Sequence, residues 1–369
     1  KERYMIACGS GAGLAAAFNA PLAGVMFSLE EIQKNFNSSM LVCVISGCVT
    51  SDFISKNIFG LSPVFDFHLE KILPLGNYWM LILLGVILGL CGAFYNFVML
   101  KGQDFYGKLK IIPSEYRIIL PFLAAGILGY ILPSVLAGGH AMIELITGHR
   151  LLVSVMLVLL LVKFLFSAFC FGSGAPGGIF FPLLILGAYI GAIYGSLIIS
   201  GTGIDPCYIT NFITISMAGF FTAIVRAPIT GILLIAEMTG TFEHFLSLAV
   251  VCIISYIVAH LLGSEPIYGS LLGRILAKNG MVENPGPDNK VLRSFAVGTT
   301  SIACGQKIKD VPWPDHCLIV TINRGQEEII AKGSTEVHSG DALVALIDES
   351  YLGMVTESIQ LICGEITPE

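Results

Sequence analysis

The 369-residue sequence is 55% hydrophobic and only 12% charged, with a mean hydropathy of +0.81, against roughly 25% charged residues in an ordinary soluble domain. Most of the chain therefore belongs in a membrane. A net charge of -6 with no basic stripe argues against nucleic acid as a partner, and ten cysteines without a C-x-x-C pair read as reduced packing residues, not a disulfide framework or a metal set.

Apolar runs of about 20 residues, the length that crosses a bilayer core, fall near 38–60, 78–100, 116–137, 149–171, 179–200, 213–236 and 242–263. From about Glu283 charges return and apolar residues alternate, so a small soluble domain follows the membrane part. The chain opens at Lys1 already inside an apolar, glycine-rich helix, and the expectation is that an N-terminal part precedes it. Basic residues set the orientation. Lys101, Lys108, Lys110 and Arg117 mark the 101–117 connection as cytoplasmic, while Asp66 and Glu70 accompany a single lysine in the 61–77 connection on the opposite side. Counting back one span places Glu30 and Glu31 towards the cytoplasm.

An internal repeat is the stronger signal. Ala15–Glu31 aligns without a gap on Thr222–Met238, placing Ala20 on Ala227, Pro21 on Pro228, Gly24 on Gly231 and Glu30 on Glu237. Duplicated halves with Gly/Pro-interrupted helices point to a transporter whose site lies at the repeat interface. A plain count of spans between the copies makes them parallel and leaves the soluble domain outside. One non-spanning segment inverts the second copy, and the glycine-broken stretch at 172–178 is where it is expected.

That stretch, GSGAPGGIF from Gly172 to Phe180, breaks the backbone at lipid depth, where an exposed amide needs protein, water or a ligand. Glycines permit tight turns, Pro176 can end the turn, and a helix starting near Ile179 aims unsatisfied N–H groups and its positive dipole end at the break. Those features describe an anion site; a glycine-rich packing kink is the alternative.

At this point the chain resembles the CLC family of chloride channels and chloride/proton exchangers. GSGAPGGIFFP is similar to that family's G-x-F-x-P anion motif, AAFNAPLAGVMFSLEE and VRAPITGILLIAEMTG to its repeat-related interface helices, and PIYGSLLGRILAK to its final, tyrosine-bearing helix. Residues 290–355 resemble, more weakly, the TrkA-type C-terminal domain of potassium-uptake regulators. The resemblance implies chloride held by Gly178 and the amides of Ile179, Phe180 and Phe181 and by the Tyr268 hydroxyl. Gly172, Ser173, Gly174, Pro176 and Gly177 would form the motif loop. It also implies that Glu31 passes protons, since an intramembrane carboxylate is costly when charged and suited to carrying one; read from the residues alone, Glu31 is equally a helix-end carboxylate paired with Lys34. The family's serine-bearing G-S-G-I-P loop and its gating-glutamate G-[KR]-E-G-P helix do not occur in this sequence. The expectation is that Lys1 lies shortly after that helix and that the first repeat is incomplete, so that the chain by itself does not transport.

The remaining charges read as structural: Lys163, Arg226 and Glu237 within or beside apolar runs, and His260 as a packed or pore-flanking histidine. A rival is an intramembrane serine protease with Ser173 and His260 as nucleophile and base. A second rival is a membrane sensor whose soluble domain binds a small ligand. In that domain CLIVTI and EEIIAK flank the turn NRGQ as a hairpin, and Ser339–Asp341 turns into ALVALI.

The sequence therefore predicts an all-α multi-pass CLC-type inverted repeat over 1–280, a linker at 281–290, and a small α/β TrkA-C-like cytoplasmic domain over 291–369. The implied function is chloride/proton antiport across a bacterial cell membrane, with a passive chloride channel as the alternative. No cofactor, metal or covalent chemistry is expected. The implied partners are the two ions, the bilayer, a homodimer mate packed through Pro21–Ile32, part of Met40–Ile58, Pro228–Glu237 and Phe245–Leu262, and a small-molecule ligand of the soluble domain.

Overall fold

A computed structural model describes residues 2–34, 38–60, 65, 71–108, 113, 116–148, 151–175, 177–278, 290–325, 327–348 and 351–364. Pro176 and positions 281–289 of the expected linker lie outside the described residues. The chain divides into two units, Lys1–Leu272 and Gly273–Glu369.

The first unit is helical. α1 (Glu2–Phe18) and α2 (Pro21–Phe27) are followed by α3 (Ser38–Phe59), α4 (Tyr78–Lys108), α5 (Ile119–Ile131) and α6 (His140–Gly148). Then come α7 (Val153–Gly172), α8 (Phe180–Thr202), α9 (Ile209–Val225), α10 (Pro228–Thr239), α11 (Phe245–Leu261) and α12 (Ile267–Lys278). Five described helical segments are long and apolar enough to cross a membrane by length and composition, over Met40–Phe59, Leu75–Lys108, Val153–Gly172, Phe180–Thr202 and Pro206–Val225. α9 is buried on every side from Asn211 to Val225, as an all-round apolar helix should be. It lies against α8, where Gly187 and Gly191 meet the backbone of Ser216 and Phe212 so closely that a side chain would not fit.

Two expected spans are corrected. The 116–137 run is not one membrane crossing: α5 has 13 residues, about 20 Å at 1.5 Å per residue, against a core of about 30 Å. Leu132 then leaves the helical region before Pro133 (φ -142, ψ 69), as steric conflict with a following proline ring favours. The short pieces that shift the topology therefore lie at 119–148, upstream of the glycine-broken stretch. The 213–236 run is likewise two helices. α9 stops at Arg226 in the left-handed region (φ 71), and Pro228 opens α10, since proline suits a first helical turn and not an interior.

The same break occurs in the first copy. Asn19 has φ 52, Pro21 opens α2, and the intervening Ala20 (φ -130, ψ 74) matches Ala227 (φ -114, ψ 81). The two short helices then cap each other. The Glu237 carboxylate accepts from the Leu22 and Ala23 amides at 3.0 and 2.8 Å. The Glu30 carboxylate accepts from the Ile229 and Thr230 amides at 3.2 and 2.8 Å, and from the Thr230 hydroxyl at 2.8 Å. Each carboxylate sits near the end of one helix and meets the start of the other, so α2 and α10 run antiparallel and the repeat is inverted.

In the second unit β1 (Lys290–Ala296), β2 (Cys317–Arg324), β3 (Glu327–Ile330) and β4 (Ala342–Asp348) form an antiparallel sheet of order β1-β4-β2-β3. Leu343, Ala345 and Ile347 alternate inwards and share a core with Val355 and Ile359 of α13 (Leu352–Cys363). β2 and β3 make the hairpin expected around NRGQ, with Arg324 opposite Glu327. Asp341 of the Ser339–Asp341 turn is 1% exposed. It accepts from Arg324 Nε and Nη2 and from the His338 amide, each at 2.8 Å. The Arg324 bonds hold its carboxyl below the usual 3.8. A depressed carboxylate stabilises the fold above its unfolded pKa, and that contribution is lost as pH falls through the lower folded value. Arg324→Ala is expected to destabilise the sheet and to speed amide exchange in β2 and β4 several-fold at pH 7. In the unmutated protein the same loosening appears only below about pH 4. Hydrogen–deuterium exchange of the native protein measures both.

Candidate functional site

α8 begins without a cap. Ile179 precedes it with φ -94 and ψ -13 and gives no side-chain hydrogen bond to the first turn. The Leu183 amide closes onto the Ile179 carbonyl at 3.1 Å, and Pro182 has no N–H to give. The amides of Ile179, Phe180 and Phe181 have no acceptor among the described residues. The contrast with α2 and α10 is direct: there a carboxylate fills the helix start, whereas at α8 the N–H groups and the positive end of a 23-residue helix stay free for an anion.

The loop ahead of α8 is shaped by its own residues. Ser173 donates to the Cys170 carbonyl at 2.7 Å and accepts from the Ala175 amide at 3.3 Å, which satisfies the end of α7. Gly174 takes φ +79, and a Cβ on Gly172 would press within 2.9 Å of the Tyr106 ring. Gly177 and Gly178 are exposed. The stretch thus combines the packing role and the open helix start that the sequence left as alternatives.

Elements distant in sequence converge on α8. The Phe180 ring lies 5.4 Å from Phe18 at the end of α1, 5.6 Å from Phe27 at the end of α2 and 4.7 Å from Phe221 of α9. Phe27 meets Tyr268 edge-on at 6.2 Å. Tyr268, on the first turn of α12, is set by two polar anchors. The side-chain amide nitrogen of Asn96, on α4, shares its two N–H groups among the Ile224 carbonyl, the Ser264 hydroxyl and the Glu265 carbonyl. Arg226 donates to the Tyr256 and Ser264 carbonyls and lies over the Tyr256 ring, 5.2 Å from its centroid.

Glu31 also belongs to this end of the unit. After α2 the chain widens into a π-type turn over Ser28–Gln33 that ends at Lys34 with φ 51. The wider turn separates adjacent carboxylates: Glu30 goes to α10, while Glu31 stays half-buried and takes no part in that cap. Such turns inside helices recur at functional sites.

The serine-protease dyad is not formed. The Ser173 hydroxyl is committed to Cys170, and His260 is exposed and stacked with Tyr256 at 6.3 Å. No hydrogen bond joins Ser173 to His260 among the described residues. Arg226 and Glu237 serve the fold, as the sequence predicts, and Asn96 and Glu30 are functional supports that the sequence reading missed. Glu30 left a signal, a carboxylate at one fixed offset in both repeat copies, each copy with a proline-opened helix to receive it.

The model of the family described as voltage gated chloride channel matches residues 1–260. The chain belongs to that family. A second family model, the TrkA-C domain, matches residues 292–360. Among relatives of this voltage gated chloride channel family member, the H(+)/Cl(-) exchange transporter ClcA of Vibrio parahaemolyticus is 34% identical over 294 residues, covering 78% of this chain and 62% of that protein. ClcA of Yersinia pestis is 33% identical over 282 residues, covering 74% and 58%. The crystal structure of a slow cyanobacterial Cl-/H+ antiporter superposes with a TM-score of 0.68 at 32% identity, over 75% of this chain and 66% of that one. The chain spans about three fifths of the length of these ClcA relatives.

Proposed function

We propose that this protein exchanges chloride for protons across a bacterial cell membrane. Residues 1–280 form the transport part, 281–290 a linker, and 291–369 a cytoplasmic regulatory domain open to a small-molecule ligand. The observation that carries the reading is the uncapped start of α8, with the free amides of Ile179, Phe180 and Phe181 beside Gly178 and an aromatic wall that leads to Tyr268. Amides and a phenol stabilise chloride without a fixed positive charge that would trap it, as turnover requires. The residues of the preceding loop, Gly172, Ser173, Gly174, Pro176 and Gly177, shape the approach. Glu31, which takes no part in the Glu30 cap of α10, hands protons between the cytoplasm and the anion. The names of the ClcA relatives and of the cyanobacterial antiporter support exchange over passive conduction. The working unit is a homodimer.

The test is a chloride gradient across liposomes holding the native protein. Uphill proton movement driven by that gradient is the expected result, and chloride flux with no proton movement would make it a channel. Tyr268→Phe removes one hydrogen bond to the anion and is expected to weaken chloride binding about tenfold, read by titration calorimetry of the native protein in detergent.

A further inference from the structure

Lys163 sits in the middle of α7 and is 1% exposed. Its ammonium donates to the carbonyls of Val135 and Ala137 at 2.8 and 2.9 Å. Ala137 holds a left-handed φ of 52. No carboxylate lies within ion-pair distance of Lys163 among the described residues. Neutral carbonyls satisfy two of its three N–H groups and leave a buried positive charge without a counter-charge, which is costly.

Beside the ammonium lies a cavity of about 240 Å³, lined among others by Lys163, Ser167, Tyr95 and the backbone of Gly177, Gly178 and Ile179. Tyr95, from α4, is fully buried, and its hydroxyl has no hydrogen-bond partner among the described residues. A buried tyrosine hydroxyl ordinarily finds one. An unspent phenol, an ammonium without a counter-charge and the positive end of α8 therefore border one space, with no acidic residue on its wall. That combination is wrong for a cation and right for an anion. The volume admits one small anion with a few waters, at roughly 30 Å³ per water.

We propose that this cavity is a second anion subsite, which holds a small monovalent anion such as chloride between the Lys163 ammonium and the Tyr95 hydroxyl. It differs from the position facing Tyr268 in that neither Phe180 nor Tyr268 lines it, although Gly178 and Ile179 border both. It depends on neither proton exchange nor Glu31, and an anion that is never transported would still occupy it.

Crystals of the native protein grown in bromide, which scatters anomalously, test this directly. Two peaks are expected, one by Ile179 and Tyr268 and one between Lys163 and Tyr95. Lys163→Met should erase the second and keep the first. Tyr95→Phe should raise the bromide concentration for half-occupancy of the cavity about tenfold. Because it removes only an unpartnered hydroxyl, Tyr95→Phe should not lower Tm in bromide-free buffer, and it decides the matter alone if Lys163→Met fails to fold. An empty cavity at saturating bromide, a cavity peak unchanged in Tyr95→Phe, or a loss of Tm without bromide would each overturn the proposal. A missing peak at Tyr268 with the cavity occupied would instead overturn the chloride-site reading.

Discussion

Glu31→Gln is expected to abolish chloride-driven proton movement while chloride flux persists. Glutamine keeps the size of the side chain and its hydrogen-bonding capacity but cannot release a proton, so the variant separates carrying from packing. The adjacent Glu30→Gln is the control. Its oxygens are committed to the start of α10, so proton coupling should survive there even though stability falls. Proton and chloride fluxes recorded together in liposomes read both variants. Intact coupling in Glu31→Gln would reduce Glu31 to a helix-end carboxylate that acts on Lys34.

Removing either of the exchanged carboxylate caps should have the largest effect on stability. Each of Glu30 and Glu237 accepts two backbone N–H groups at the start of the opposite helix. Charge-assisted bonds of this kind, half-buried and at the positive end of a helix, are worth about 2 kcal/mol together. Glu30→Ala and Glu237→Ala should each lower Tm by about 5 °C, Glu30→Ala slightly more because it also loses the Thr230 hydroxyl. The double variant should cost less than the sum, since both carboxylates clamp the same pair of helices and the first loss already loosens it. Thermal unfolding in detergent measures all three. A large effect from one glutamate and none from the other would mean that the two repeat halves bear load unequally despite their matching geometry.

Much of the membrane part was legible because its signals are local. Apolar runs of spanning length located α3, α4, α7, α8 and α11, and the glycine-rich break located the start of α8 to within a residue of Ile179. The soluble domain's hairpin and turn were likewise written in alternation and turn residues. Where the reading went astray, hydropathy was being asked about direction. The 116–137 and 213–236 runs each read as one apolar span, and hydropathy does not register that the chain breaks at Leu132–Pro133 and again at Arg226–Pro228, which leaves α5 and α10 as short helices. Buried short helices and spanning helices have the same composition, so parity along the chain could not be counted from it.

By itself the sequence determined most of the apolar helices, the duplicated A-P-x-x-G helices and the glycine-rich break, all of which rest on spacing within a few residues, while Glu31 and Tyr268 were singled out by the family resemblance. Only the tertiary structure decided that the copies are antiparallel, because that follows from carboxylates meeting amides more than 190 positions away. It also decided which helix start stays vacant. α2 and α10 open on proline and α8 on Phe180 after the glycine loop, yet nothing local shows which of these starts receives a carboxylate. Partners brought by the opposite repeat close two of them, and the start of α8 receives no carboxylate among the described residues.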